Sequence, residues 1–155
     1  MHEDFLQQAV ALAVDNVTSG LGGPYGAIIV KECQLVAASG NKVTSTLDPT
    51  AHAEIVAIRL ACLKLNDFQL HGCILYSSCE PCPMCLGAIY WARLEKVYYA
   101  CSRFDAAAAH FDDSFIYDEI LVSPSERNIA MRHLNLPNAL QPFKLWTEKS
   151  DKVVY

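Results

Sequence analysis

SSCEPCPMCLGAIYWARL, residues 77–94, carries the densest chemistry in the chain. Within it Cys82 and Cys85 read P-C-x-x-C. Upstream, AHAEIVAI, residues 51–58, supplies His52 and Glu54 as H-x-E, with 26 residues between Glu54 and Pro81. One imidazole and two thiolates make three ligands for a tetrahedral zinc and leave the fourth position open for water. Zinc lowers the pKa of that water towards neutrality. Glu54 is two residues from a ligand and is not needed as one. A carboxylate there can take the water's proton and hand it to a leaving group.

H-x-E alone is a weak signal, and a lone C-x-x-C also serves redox dithiols and structural zinc. The two in this order, with Pro81 before the first cysteine, form the signature of zinc deaminases. Cys79 extends the run to C-x-x-C-x-x-C, which begins an iron–sulfur pattern. That pattern needs a fourth cysteine where Ile89 stands, so it fails at its last step. Cys79 is instead expected as a small buried residue at a strand end. A zinc site built from cysteines alone, with His52 unliganded, stays open at this point.

The 155 residues fit one domain, and an apolar fraction of 52% supplies a core without disulfide staples. The cysteine count is seven, an odd number. His2, Glu3 and Asp4 stand where a signal peptide would carry basic residues. Reduced thiols and a cytoplasmic location are therefore expected. No apolar stretch reaches the ~18 residues of a membrane span. The net charge of −5 and a pI near 5.4 argue against a nucleic-acid partner, since such proteins carry basic patches.

Apolar spacing predicts a helix from about Glu3 to Thr18, stopped by Gly20. Gly20–Gly26 lacks a phosphate-loop pattern and reads as a turn. Ala27–Val30 and Leu35–Ala38 read as an antiparallel hairpin. Thr50 is the expected N-cap of a helix from Ala51 to Leu65. Cys73–Ser77 reads as a buried strand, Cys82–Ala92 as a helix with Pro83 in its first turn, and Val97–Cys101 as a strand. This order predicts an α/β fold, a mixed sheet with helices on both faces. Both ligand-bearing helices then present their N-termini to the metal, where the helix dipole favours thiolate and hydroxide.

The chain resembles the cytidine deaminase-like superfamily through GGPYGAIIV (22–30), NKVTSTLDPTAHAEIVAI (41–58), residues 77–94 and KVYYA (96–100). Within it, DAAAAHFDDSFIYDEI (105–120) and LQPFKLWTEKSDKVVY (140–155) are similar to the bacterial guanine deaminases. The resemblance implies a three-layer α/β/α sandwich about a mixed five-stranded sheet. It implies one Zn2+ per subunit on His52, Cys82 and Cys85, and hydrolysis of guanine to xanthine and ammonia. In that reaction zinc-held hydroxide attacks C2 with Glu54 as proton shuttle. Asn41 and Asp113 match residues that contact the base, and Tyr155 matches a terminal aromatic that closes the pocket. The resemblance also implies a homodimer of a single deaminase domain, residues 1–155, with the segment from about 124 to 155 swapped between subunits. Two positions depart from the family pattern. Tyr25 replaces an expected Phe, and His110 replaces a small residue.

An ionised Asp113 can accept guanine N1–H or amine protons, and Asn41 offers a donor and an acceptor. Without the resemblance, Asn41 reads as a turn residue and Asp113 as part of a solvated helix start. Tyr25 and Trp91 are candidates for stacking on the base, although a place in the helix core is the plainer reading of Trp91. His2, His71, His110 and His133 are expected on the surface or in loops. Deaminases of cytosine, guanosine or tRNA adenosine remain alternatives for the function. A non-catalytic zinc-binding subunit is the alternative from another class, and Glu54 argues against it.

Overall fold

The apolar run Gly26-Ala-Ile-Ile-Val alternates its faces, and that alternation builds the molecule from its middle strand outward. In the computed structural model, which describes Met1–Tyr155, the elements are α1 (His2–Thr18), β1 (Gly26–Lys31), β2 (Gln34–Gly40), α2 (Val43–Thr46), α3 (Ala53–Leu65), β3 (Cys73–Cys79), α4 (Pro83–Trp91), β4 (Lys96–Cys101), α5 (Arg103–Ala108), α6 (Ser114–Leu121) and α7 (Gln141–Glu148). A short 3-10 turn spans Pro124–Glu126. The sheet order is β2-β1-β3-β4. β1 pairs antiparallel with β2 and β3, and β3 pairs parallel with β4.

Successive strand residues point to opposite faces. Ile28 and Val30 of β1 meet Ala9 of α1 and Tyr76 of β3 on one face. Ala27 and Ile29 meet Ala53, Ala57 and Ala61 of α3 and Ile89 of α4 on the other. The three layers predicted from the alternation of elements are thus present, with one apolar cluster on each side of the sheet. Each fully buried Ile or Leu contributes about 1.5–3 kcal/mol relative to exposure. Gly26 lets α1 approach closely, because a Cβ there would collide with the backbone of Ala9 and Ala13.

The sheet has four strands, not five. After β4 the chain turns into helix instead of a further strand. Ser102 and Asp105 form a reciprocal capping box at the start of α5, and the alanines that follow favour helix over strand. The expected N-cap at Thr50 also moves. Thr50 takes part in a turn closed by Asp48, whose Oδ1 accepts from Thr50 N and Oγ1 at 2.8 and 2.7 Å. His52 is the N-cap of α3. The hairpin stands as predicted, but its turn places Glu32 and Cys33 at φ of 50° and 61°. Two positive φ values match the twist of a tight hairpin and are unusual without glycine or asparagine.

The chain divides into two compact units, Met1–Asp113 and Ser114–Tyr155. The first holds the sheet and both apolar clusters. In the second, not one residue is buried. Its α6 is tied to the turn beyond it by Glu119, whose carboxylate accepts from Asn128 N and Nδ2 at 2.9 and 2.6 Å. No helix is long and apolar enough to cross a membrane.

Candidate active site

Two helix starts converge on one point. His52 caps α3 and Cys82 caps α4, both with extended backbone, and Pro83 occupies the first turn of α4. Cys85 follows in that same turn and is fully buried. His52 Nδ1 lies 3.5 Å from Cys82 Sγ and 3.5 Å from Cys85 Sγ. The three ligand atoms all fall within 4.8 Å of one another. A tetrahedral zinc with ordinary Zn–N and Zn–S bonds needs N···S separations of about 3.6 Å. The donor set and its spacing therefore fit zinc, and His52 is inside the group. The cysteine-only alternative is not needed, because Cys79 closes β3 as a buried residue outside the cluster.

Charge at the site is organised around the thiols. The hydrogen bond from Cys85 holds the Cys82 thiol down to about 4, helped by His52. The same bond, with burial, holds the Cys85 thiol up. The hydrogen bond to Cys82 raises His52. A coordinated cation deprotonates such thiols outright.

Glu54, in the first turn of α3, is only 5% exposed. Burial pushes its carboxyl up from the ordinary value. Ser77 of β3, itself buried, donates from Oγ to Glu54 Oε1 at 3.4 Å. A buried carboxyl with a raised pKa, two residues from a metal ligand, is suited to taking and returning a proton near neutral pH.

Asn41 follows β2 and is buried. Its Oδ1 accepts from Val43 N at 3.1 Å at the start of α2. That bond is the turn role expected of an Asn after Gly. The backbone of Asn41 is fixed by Tyr25 O, which accepts from Asn41 N at 3.0 Å. It is fixed again by Asn16, whose Nδ2 donates to Asn41 O at 3.0 Å and to Gly23 O at 2.8 Å.

Tyr25 packs edge-on against Phe111, with ring centroids 5.3 Å apart. Burial raises its phenol, and the charges of Cys79, Glu54, Asp113 and Cys82 add to this. Asp113 is half-buried, and burial and then Cys82 raise its carboxyl. Tyr25, Asp113, Glu54 and the ligands therefore share one electrostatic neighbourhood.

Two expected residues are not brought to this point within the first unit. Trp91 ends α4 and is 65% exposed. At about 1.5 Å per residue the helix carries it over 10 Å from Cys82, and it is not in the helix core. Tyr155 belongs to the second unit and is exposed.

Sequence reasoning missed Asn16, Ser77 and Phe111. Asn16 had a readable signal. It falls on the face of α1 that buries Ala9 and Ala13, and a polar residue on an apolar stripe needs partners. His2 is also more than a surface residue, since its Nδ1 lies 2.6 Å from Tyr76 Oη. His110 adopts φ of 68°, a conformation that glycine takes without strain and other residues rarely adopt.

Residues 1–101 match the model of the cytidine and deoxycytidylate deaminase zinc-binding region. The chain is 54% identical over 154 residues to the guanine deaminase of Bacillus subtilis, covering 99% of both. It is 49% identical over 77 residues to the tRNA-specific adenosine deaminase of Aquifex aeolicus, covering 50% of this chain and 51% of that protein. The crystal structure of the Bacillus subtilis guanine deaminase superposes with a TM-score of 0.99, covering 100% of this chain and 99% of that one. A guanine deaminase from Nitrosomonas europaea is 33% identical with a TM-score of 0.65, covering 70% of this chain and 63% of that one. The chain belongs to the zinc-binding cytidine and deoxycytidylate deaminase family.

Proposed function

We propose that this protein hydrolyses guanine to xanthine and ammonia. One observation carries the choice of substrate. Likeness to a guanine deaminase covers 99% of the chain at 54% identity, whereas likeness to tRNA-specific adenosine deaminases covers 50% in one relative and 68% in another. The net charge of −5 also disfavours a tRNA partner.

His52, Cys82 and Cys85 would hold zinc, which when bound lowers the pKa of a water molecule and makes it nucleophilic near neutral pH. Glu54 takes the proton that water releases as it adds to C2 of guanine. It passes that proton to a ring nitrogen, then takes the second proton from the new C2 hydroxyl and delivers it to the departing amine as the C2–N bond breaks, so ammonia leaves and xanthine remains. Ser77 holds Glu54 from the sheet side. Asn41 Nδ2 donates to an acceptor on the purine edge, and Asp113 accepts from N1–H or the amine. Tyr25 stacks on the base, supported by Phe111. A pocket that satisfies these groups rejects analogues that leave them unpaired.

The second unit completes the enzyme as part of a homodimer. Ile129, Leu134, Leu140, Phe143 and Val154 are each more than half exposed, and a segment with no buried residue cannot stabilise itself. A segment from about 124 to 155 that crosses to a partner buries those side chains. Tyr155 then closes a pocket. The enzyme works in the cytoplasm, where its free thiols stay reduced.

Ammonia release from guanine, guanosine, adenine, cytosine and cytidine, with zinc measured on the same sample, tests this reading. Release from guanine above all others is expected. Release from another member of the panel and none from guanine would replace the substrate and keep the zinc site.

A further inference from the structure

A second thiol pair lies beside the metal centre and takes no part in it. Cys79 and Cys101 are register partners at the end of the parallel pair β3–β4. Neighbouring strands run about 4.8 Å apart, inside the roughly 4.4–6.8 Å Cα separation that a disulfide bridges. Both residues line one pocket of about 160 Å³ together with Tyr25 and Phe111, so both face the same cavity. Cys79 Sγ already points across the gap, donating to the carbonyl of Ser102 at 3.5 Å. Glu80 N donates to Cys101 O at 2.8 Å and fixes the two strand ends together. Neither thiol belongs to the metal group. Cys101 is exposed and Cys79 buried, an arrangement of one accessible and one resolving thiol. Burial, and then the neighbouring Cys101, hold the Cys79 thiol up to about 11, which leaves Cys101 as the first to react.

We propose that Cys79 and Cys101 form a peroxide-reactive dithiol that closes to an intramolecular disulfide in the wall of the pocket that Tyr25 and Phe111 also line. The Cys101 thiolate attacks one oxygen of hydrogen peroxide. The O–O bond breaks, the sulfur becomes a sulfenic acid, and the other oxygen leaves as water after taking a proton. The Cys79 sulfur then displaces the sulfenic hydroxyl, the S–S bond forms, and a second water departs. Two thiols are oxidised and one peroxide is reduced to two waters. Cys79 lies three residues before Cys82, so closure stiffens the segment that delivers a metal ligand.

The zinc-loaded full-length protein, treated with hydrogen peroxide, blocked at remaining thiols and digested, tests this by peptide mass. A peptide joining Cys79 to Cys101 is expected, lost on reduction, absent in Cys101→Ser, and retained in Cys33→Ser, with zinc still bound. Free alkylated Cys79 and Cys101 under conditions that oxidise Cys33 would overturn the proposal. A bond from Cys79 to Cys82 with loss of zinc would overturn it equally.

Discussion

Asn16 donates from Nδ2 to the backbone carbonyl of Asn41 at 3.0 Å, linking the last buried position of α1 to the residue proposed to meet the purine edge. The same amide group holds Gly23 O at 2.8 Å. Truncation in Asn16→Ala leaves two carbonyls without their donor, which costs about 1–3 kcal/mol. Chemical denaturation is expected to show a loss in that range. Zinc content stays unchanged, because neither bond touches the ligands, while KM for guanine rises. Unaltered stability and KM would remove Asn16 as a support for Asn41.

Asp113 predicts a pH dependence with a definite sign. Burial raises its carboxyl above the ordinary value. The ionised form is the acceptor, so binding of guanine is complete above that pKa and lost as pH falls through it. The acid limb of kcat/KM should lie above the ordinary Asp pKa of about 3.9. In Asp113→Asn activity drops, and the part of the limb that belongs to this carboxyl disappears. An identical acid limb in the variant would assign it to another group.

His110 holds φ of 68°, a conformation that costs a side-chain-bearing residue about 1 kcal/mol. His110→Gly is expected to raise the melting temperature. A lower melting temperature would show that the side chain contributes more than the backbone loses.

Removal of the last few residues, including Tyr155, is expected to lower guanine turnover and leave zinc content intact. Sedimentation of the intact chain should give a dimer. A shorter chain ending near residue 123 should lose both the dimer and most activity. A fully active monomer would refute the swapped arrangement and the closing role of Tyr155.

The metal centre was legible because its residues lie in two short strings with fixed spacing. His52, Cys82 and Cys85 need only those strings and two helix starts to meet. The central strands were legible because Ala27–Val30 and Cys73–Ser77 are short apolar runs in a chain of otherwise helical period. The helix start at His52 was misplaced by two residues, since Thr50 is an equally good cap in isolation and the Asp48 turn claims it. The fifth strand was carried over from a family resemblance, and the capping pair Ser102 and Asp105 redirects the chain into helix. Asn16 and Ser77 act on residues 25 and 23 positions away, contacts that only the packed sheet creates.

The role proposed for Glu54, turning a zinc site into a guanine hydrolase, is tested most directly by its removal. Xanthine and ammonia are to be measured together on wild type and Glu54→Ala, each with its zinc quantified. One xanthine per ammonia is expected from wild type. A loss of about 100- to 10,000-fold is expected in Glu54→Ala at equal zinc content. Guanine left intact by zinc-loaded wild type, or turned over at the wild-type rate by zinc-loaded Glu54→Ala, would contradict it.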